Sequence, residues 1–323
     1  MSENNKLIDN ETIYDEPKKI FSSTLVELGK KDERVVFLSC DTSLGTGGNE
    51  FKKAFPERHF DFGIAEQNAV SHAAGMAFEG KIPFVGAHAP FISIKVLEQI
   101  RNDLCKTKLH AVLIGRDFGF QGPTGGPTHM VFEEVGILRT IPGITIIAPC
   151  DGPEYREAMI AAYNYDSPVY IRMSRIKTKR VNKENYDFKI GKGNILREGS
   201  DITLFATSTL VSNTLDAALI LQNKGISAEV INIHTLKPID ADLILKSCQK
   251  TGKAITIEEH SVINGLGSAV ADILIREYPV KIKMIGVEDN FSIVGSSYHE
   301  LIDYYGFSAD KLAVKINDFL QQF

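Results

Sequence analysis

Short apolar runs separated by helix-like segments dominate the first half of the chain. Such runs, rich in β-branched residues, are typical of strands buried in a parallel sheet. They are VVFLSC (35–40), IPFVGA (82–87), HAVLIG (110–115), TIIAPC (145–150) and PVYIRM (168–173), with helices predicted between them over 66–79, 91–106, 128–140 and 153–165. This alternation predicts an α/β fold built from right-handed βαβ units.

A charged stretch interrupts the pattern between residues 175 and 200, where little periodic apolar structure remains. It favours a solvated linker and a domain boundary. A second series follows, with strands predicted over 201–207, 228–233, 254–259 and 281–287, helices over 210–224, 240–250 and 267–278, and an amphipathic terminal helix from 309. We expect two domains, each a mostly parallel sheet flanked by helices. The predicted division is a flexible segment 1–16, a first domain 17–180, a linker 181–200 and a second domain 201–323.

The composition argues against several classes of protein. The chain of 323 residues has a net charge of −5 and a pI near 5.9, whereas nucleic-acid binders present a basic stripe or domain. The cysteines Cys40, Cys105, Cys150 and Cys248 have no metal-like or disulfide spacing, as expected in a reducing cytosol. No signal-peptide pattern or membrane-spanning apolar run is present. We therefore expect a cytoplasmic protein without nucleic-acid or membrane partners.

Polar and aromatic residues follow the predicted strands of the first series. Ligands of open α/β sheets bind beyond the carboxyl ends of the strands. The loops there contain Asp41, Glu66, His88 with Phe91, and the glycine-rich segment 119–129. Singly, each has a structural explanation, such as a helix-end acid for Glu66, a cap for Asp41 and a core residue for Phe91. Their order and spacing together indicate an active site.

The glycine-rich segment GFQGPTGGPTH (119–129) matches neither common phosphate-binding loop. It lacks the lysine and hydroxyl of GxxxxGK[ST], and it does not follow a strand with GxGxxG spacing. Its last residue, His129, is by itself better explained by a helix N-terminus than by catalysis. The segment gains a functional interpretation only in combination with its neighbours.

Together these segments resemble the pyrimidine-binding and C-terminal domains of the transketolase family. The matching motifs are GIAEQNA (63–69), HAPFISI (88–94), EQIRND (98–103), GGPTHMVFEE (125–134), LRTIPGITIIAPCDGPE (138–154), IRMSR (171–175), LKPID (236–240) and EEHSVINGLGSAVAD (258–272). The resemblance covers roughly residues 15 to 320. It implies that residues 17–180 bind the pyrimidine ring of thiamine diphosphate and that 201–323 form the transketolase C-terminal domain.

The resemblance also implies residue roles. The glutamate matching Glu66 contacts a nitrogen of the pyrimidine ring, an aromatic residue matching Phe91 stacks on that ring, and Asp41 matches an aspartate near the thiazolium side. His129 matches a histidine that faces the substrate, so Glu66 and His129 are the implied catalytic residues. Arg175 matches an arginine that binds the substrate phosphate. The implied cofactor-binding residues are Asp41, Ile64, Glu66, His88, Phe91 and Ile94.

One part of the family pattern is missing from the sequence. Full-length transketolases have a further N-terminal domain that holds the cofactor diphosphate through a divalent cation bound by a GDG motif. This chain contains no GDG and no evident acidic cluster for Mg²⁺, so no metal ligand is expected in it. The resemblance implies one subunit of a split transketolase, inactive alone. Its partner would be an N-terminal subunit holding the diphosphate and Mg²⁺ or Ca²⁺, in an α₂β₂ assembly.

The residues expected around the substrate depart from the family pattern. Gly125 replaces an aspartate that hydrogen-bonds a sugar hydroxyl, and Gly45 replaces a serine. Lys18 replaces a phosphate-contacting arginine, and Arg116 or Asp117 replaces a phosphate-binding histidine. His88 and Ile94 replace aromatic residues. The implied substrate-binding residues are Lys18, Arg116, Gly125, His129 and Arg175. These changes indicate that the terminal anion of the sugar is held differently from a standard pentose phosphate.

The resulting hypothesis is transfer of a two-carbon ketol unit from an anionic, phosphorylated or otherwise charged ketose to an aldose. Three alternatives remain from the sequence: a deoxyxylulose-phosphate-synthase-like subunit, a β-type subunit of a 2-oxo-acid dehydrogenase, and a non-catalytic assembly subunit. Retention of Asp41, Glu66, Phe91 and His129 together argues against the last.

Overall fold

Two mostly parallel sheets flanked by helices, and one small two-stranded antiparallel sheet, make up the described part of the chain, residues 12–322 of a computed structural model. The predicted α/β architecture is therefore confirmed. The strands are β1 Tyr14–Asp15, β2 Val35–Ser39, β3 His59–Asp61, β4 Ile82–His88, β5 Val112–Arg116, β6 Thr145–Ile147, β7 Val169–Met173, β8 Thr178–Lys179, β9 Asn194–Arg197, β10 Ile202–Ala206, β11 Ala228–Asn232, β12 Thr235–Lys237, β13 Lys253–Ser261 and β14 Lys281–Val287.

The helices lie between these strands as the alternation predicts. They are α1 Pro17–Lys31, α2 Ser43–Thr46, α3 Asn49–Ala54, α4 Glu66–Phe78, α5 Leu97–Gln99 continued by a π-helical turn Ile100–Cys105, α6 Glu134–Arg139, α7 Gly152–Tyr163, α8 Leu210–Gln222, α9 Ala241–Thr251, α10 Leu266–Glu277, α11 Tyr298–Tyr304 and α12 Ala309–Leu320. Short 3₁₀ turns cover Pro56–Arg58, Gly119–Gln121 and Pro123–Thr128. Within residues 12–322, no helix has the length and apolar character needed to cross a membrane.

The first sheet positions the residues expected at the site. Its strand order is β12-β6-β7-β5-β4-β2-β3, and every neighbouring pair is parallel except β12 with β6. Apolar side chains cover both faces: Phe21 and Phe37 lie in the cluster on one face, and Val36 and Leu38 in the cluster on the other. Burial on both faces explains why these strands are continuous apolar runs rather than alternating ones.

Two of the predicted helices begin about six residues later than predicted. Residues 90–96 form turns, and regular helix begins only at Leu97, because Pro90 and the β-branched Ile92, Ile94 and Val96 disfavour helix. The helix predicted over 128–140 is regular only from Glu134 to Arg139, because the preceding glycine- and proline-rich segment forms a loop.

The ends of the predicted domains contain structure that the sequence did not indicate. Residues 1–11 of the predicted flexible segment lie outside the described range, whereas Tyr14–Asp15 pair antiparallel with β8. The predicted linker includes β9, which pairs antiparallel with β11 as the edge of the second sheet. The second half of the chain also supplies β12 to the edge of the first sheet. The second half of the chain therefore contributes a strand to the first sheet.

A buried ion pair of the first domain lies at its boundary with the second, beside the site. Arg172 Nε lies 2.6 Å from Glu134 Oε1, and both side chains are 0% exposed. Arg172 Nη2 also donates to the Glu259 carbonyl at 3.0 Å, and its guanidinium carbon lies 4.2 Å from the centroid of the Phe118 ring. Breaking such a pair by removing one partner destabilises a protein by about 3–5 kcal/mol. Arg172 is thus held within the first domain by Glu134 and Phe118 and contacts the second domain through the Glu259 carbonyl.

His260 makes a second contact across the same boundary. Its Nε2 lies 3.1 Å from the Gly136 amide, which donates to it, and its Nδ1 lies 2.8 Å from the Ser261 carbonyl. Nδ1 therefore carries the proton of a neutral imidazole. Burial lowers the pKa of His260 to about 4, which fits an imidazole that stays neutral.

We expect His260→Gln to flatten the pH dependence of stability between pH 6.5 and pH 4. The unfolded chain, whose histidine titrates near 6.5, takes up a proton first, so stability present above pH 6.5 is lost as the pH falls towards 4. Glutamine keeps an acceptor for the Gly136 amide but binds no proton. The fall in unfolding free energy over this window should shrink by about 3 kcal/mol. Urea unfolding at a series of pH values measures it, with the exposed His299→Gln as control; equal slopes in both variants would contradict the prediction.

Candidate active site

Parallel strand pairing brings several predicted site residues to one edge of the first sheet. His88, the last residue of β4, pairs with Arg116, the last residue of β5, and Arg116 pairs with Met173 at the end of β7. Arg175 follows two residues later, and Asp41 lies just beyond β2. The structure therefore places these residues side by side, as the carboxyl-end rule predicts.

Glu66 is the first residue of α4 and is buried, with only 2% of its surface exposed. The turn before it is fixed by Asp61, whose Oδ1 accepts from the amides of Asp41 and Gly63, both at 3.0 Å. Partial burial raises the pKa of Asp61, but these hydrogen bonds outweigh it and hold the pKa below its usual value. The carboxylate of Glu66 thus enters the interior from a rigid turn.

Lys95 is the partner of this buried carboxylate, and sequence reasoning missed it. Its Nζ lies 2.5 Å from Glu66 Oε2 and 5.8 Å from the centroid of the Phe91 ring. The position of Lys95 four residues after Phe91 is the only signal in the sequence, and it is weak because this segment is not a regular helix. The ammonium group links the acid and the aromatic ring of the site.

Three rings form a group beside this ion pair. Phe91 and His129 have ring centroids 5.6 Å apart, His88 and Phe91 are 6.1 Å apart, and His88 and His129 are 6.0 Å apart, all edge to face. Phe91 is partly buried and His129 is exposed. The His129 Nδ1 lies 2.9 Å from the Thr128 hydroxyl. The sequence-predicted His129 and Phe91 therefore lie together, on different segments of the chain.

Asp117 organises the cationic part of the site. Arg116 donates from Nε to Oδ1 at 3.1 Å and from Nη2 to Oδ2 at 2.6 Å. Arg175 Nη1 lies 3.6 Å from Oδ2, and His88 Nδ1 lies 3.3 Å from the same oxygen but is misaligned for a hydrogen bond. Burial and the Arg116 charge lower the pKa of His88, which favours its neutral form. Two guanidinium groups around one carboxylate leave a net positive charge for an anion.

Two glycines make room for the side chains of this site. A Cβ atom on Gly45 would lie 1.6 Å from Arg116 Nη1, so the guanidinium occupies the space of a side chain at position 45. A Cβ atom on Gly125 would lie 2.8 Å from the Cβ of His129, so a larger residue there would displace the imidazole. The glycines at 45 and 125 are therefore coupled to the positions of Arg116 and His129.

The remaining predicted residues lie at the rim. Ile64 is 77% exposed in the turn before Glu66, and Ile94 is 39% exposed beside Lys95. Lys18 is exposed on α1, where its Cγ would lie 3.2 Å from a Cβ on Gly47. Their roles in cofactor or substrate binding stay predictions. Among residues 12–322, no group of three or more His, Cys, Asp or Glu side chains is arranged to hold a metal ion.

Two family models match the chain. The model described as "Transketolase, pyrimidine binding domain" matches residues 17–180, and the one described as "Transketolase, C-terminal domain" matches residues 191–312. Together they cover both alternating series of strands and helices.

Curated relatives match the chain over most of its length. A 6-deoxy-6-sulfo-D-fructose transketolase subunit of Clostridium sp. (strain MSTE9) is 40% identical over 89% of this chain and 89% of its own length. One of the subunits of an apulose-4-phosphate transketolase of Phocaeicola vulgatus is 34% identical over 94% of this chain and 97% of its own length. A 1-deoxy-D-xylulose-5-phosphate synthase of Desulfotalea psychrophila is 38% identical over 83% of this chain, but only 42% of that protein is covered.

Solved structures share the fold. The structure titled "Split gene transketolase, inactive beta4 tetramer" has a TM-score of 0.87 and 36% identity, and the match covers 96% of this chain and 99% of that one. A transketolase from Campylobacter jejuni has a TM-score of 0.81 at 21% identity, and the match covers 96% of this chain and 48% of that one. The latter likeness concerns the fold alone.

We expect Lys95→Met to destabilise the chain by about 1–3 kcal/mol, because the Glu66 carboxylate would stay buried without its partner. Methionine keeps most of the aliphatic stem and removes only the ammonium group. Urea unfolding at pH 7 measures the effect. The control is Lys224→Met, at an exposed lysine in the turn after α8. Equal stability of the two variants would show that the Lys95–Glu66 pair contributes nothing.

Proposed function

The chain belongs to the transketolase family, and on that premise we propose that it is the pyrimidine-domain subunit of a split, thiamine-diphosphate-dependent transketolase. The proposed reaction transfers a two-carbon ketol unit from an anionic ketose to an aldose. One arrangement carries the proposal: the Lys95 ammonium group links the buried carboxylate of Glu66 to the Phe91 ring, and His88 connects that ring to the guanidinium groups around Asp117.

The proposal of a split enzyme is supported by what the chain covers. It spans nearly the whole of relatives that are named as subunits and about half of the Campylobacter transketolase. The solved split-gene transketolase is described as an inactive tetramer of its β chain, which fits a need for a second subunit. We propose that this partner holds the cofactor diphosphate with Mg²⁺ or Ca²⁺, in an α₂β₂ assembly.

The site fits the pyrimidine ring of thiamine diphosphate. A planar ring with a basic nitrogen needs an aromatic face and a carboxylate that can share a proton with the nitrogen, and Phe91 and Glu66 offer these groups. The bound cofactor supplies the electron sink for breaking and forming the carbon–carbon bond. Glu66 holds a proton at the ring nitrogen, and Lys95 must release the Glu66 oxygen that it now occupies.

His129 and the cationic group act on the substrate. The exposed imidazole of His129 is placed to hydrogen-bond a sugar hydroxyl and to move its proton, as a positioned general acid or base does. Arg116 and Arg175 hold the terminal anion through charge-assisted hydrogen bonds. Two relatives act, by their names, on a sulfonated and a phosphorylated ketose, which supports a charged ketose as the donor here.

A second candidate reaction is supported by the similarity to 1-deoxy-D-xylulose-5-phosphate synthases. Those proteins extend well beyond the matched region, whereas the relatives covered almost completely are transketolase subunits. A donor panel that includes 2-oxo acids beside ketoses separates ketol transfer from both alternatives, the synthase-type and the dehydrogenase-type reaction.

We expect Glu66→Gln to lower kcat by at least about 10²-fold in the complex reconstituted with the partner, the usual scale for a positioned acid or base. Glutamine keeps the size of the side chain but cannot take up the proton. Apparent cofactor affinity should fall much less, because the partner anchors the diphosphate. Steady-state rates over a cofactor titration measure both quantities. A nearly normal kcat would mean that Glu66 is only a helix-end acid, and the exposed Glu79→Gln, at the other end of α4, is the matched control.

The substrate prediction is that a charged ketose other than xylulose 5-phosphate, paired with a suitable aldose, gives the highest kcat/KM. The experiment is a panel of phosphorylated, sulfonated and neutral ketoses with several aldoses on the reconstituted complex. Arg116→Met should lower kcat/KM for the charged donor by roughly 10–100-fold, the loss of one charged hydrogen bond, and leave neutral donors unchanged. Gly45→Ala should act in the same direction, because its Cβ would displace the guanidinium. If the standard pair is best by a wide margin, the specialised-substrate proposal is wrong.

A further inference from the structure

The loop that carries His129 is closed at its base by a single backbone hydrogen bond. The Gly119 amide donates to the Val131 carbonyl at 3.0 Å, so residues 119–131 form one loop, called here the His129 loop. Arg116 and Asp117 lie immediately before it. The position of the two joined ends of this loop therefore affects where the His129 imidazole and the Arg116–Asp117 pair lie.

The second domain forms the wall against which this loop rests. Phe120 belongs to the apolar core of the second domain, with ring centroids 4.7 Å from Tyr305 and 5.9 Å from Phe307. The Gly295 amide donates to the Pro123 carbonyl at 3.1 Å. At the other end of the loop, the Ser261 amide donates to the Phe132 carbonyl at 2.8 Å. Both ends of the loop thus contact the second domain.

Glu259, near the end of β13, makes the contact that reaches the loop backbone. Its side chain is fully buried, and Oε1 accepts from the Phe120 amide at 2.7 Å. Oε2 accepts from the Thr209 hydroxyl at 2.7 Å and from the Tyr298 hydroxyl at 2.9 Å, both in the second domain. One carboxylate thus joins the loop of one domain to two helical segments of the other.

Gly119 is adapted to this contact. Its φ of +58° is in the left-handed region, and a Cβ atom there would lie 2.3 Å from Glu259 Oε1. A side chain would therefore be strained by the backbone and would collide with the carboxylate. Apolar packing of Phe120 alone would not require so close an approach, so the geometry is specific to the carboxylate–amide contact.

We propose that Glu259 is a positioning residue of the active site, which fixes the His129 loop through the Phe120 amide and so sets His129 and the Arg116–Asp117 pair. Its role for the reaction rests on the proposed function, but its effect on the loop does not. Removing the acceptor leaves the buried Phe120 amide and the Thr209 hydroxyl without the partner they now have, and frees the start of the loop. Glu66 and Phe91 lie on other segments and keep their places.

The test compares Glu259→Ala with Glu258→Ala in the full chain. Glu258 is the adjacent residue on the same strand and is also buried, but its carboxylate accepts from the Leu266 and Gly267 amides at the start of α10, within its own domain. Burial raises the pKa of Glu259 to about 7. The two readouts described below are therefore taken at pH 8, where Glu259 is a carboxylate. Hydrogen–deuterium exchange of residues 119–131 is the first readout. We expect exchange at least 10-fold faster in Glu259→Ala and unchanged in Glu258→Ala.

The second readout uses the complex reconstituted with the partner. Glu259→Ala should lower kcat/KM for the charged ketose by 10-fold or more without changing apparent cofactor affinity, and Glu259→Gln, which keeps an acceptor for the Phe120 amide, should restore most of it. Glu258→Ala should leave both constants near wild type. Unchanged loop exchange in Glu259→Ala, or the same loop exchange in both alanine variants, would overturn the inference even if ketol transfer is confirmed. If wild-type complex shows no ketol transfer, the proposed function fails, and the exchange result still decides the role of Glu259.

Discussion

The arrangement of the site depends on the contacts of the Arg172 guanidinium group. It is fully buried between the domains, pairs with Glu134 at the start of α6, covers the Phe118 ring and donates to the Glu259 carbonyl. Phe118 precedes the His129 loop and Glu134 follows it. A charge buried this deeply is stable only with its partners in place, so it ties both ends of the loop to β7 and β13.

The framework of the fold was predictable because it depends on local patterns. Buried parallel strands produce continuous apolar runs, and the carboxyl-end rule then places Asp41, His88 and Arg116 at one edge. The errors have two causes. The helix predicted from Phe91 begins only at Leu97, because local residues disfavour its first turns, whereas β9 and β12 depend on tertiary context, since their partners are β11 and the first-sheet strand β6.

The candidate site was predictable only in part, for the same reason. The resemblance identified Glu66, Phe91 and His129, but Lys95 becomes significant only when its ammonium group is seen on the Glu66 carboxylate. Likewise Gly45 and Arg116 are two separate departures in the sequence. In space they are one change, because the guanidinium fills the volume that a side chain at 45 would need. Whether two substitutions compensate each other is a question of distance, which one sequence does not contain.

The antiparallel strand β12 has a consequence for synthesis of the chain on the ribosome. Residues 235–237 complete the edge of the first sheet by pairing with β6, which ends at Ile147. About ninety residues must therefore be made after β6 before its outer edge is covered, and during that interval the edge presents unpaired amides and carbonyls to other chains. The second domain therefore covers an edge of the first sheet that would otherwise be open to pairing with other strands, as well as supporting its loop.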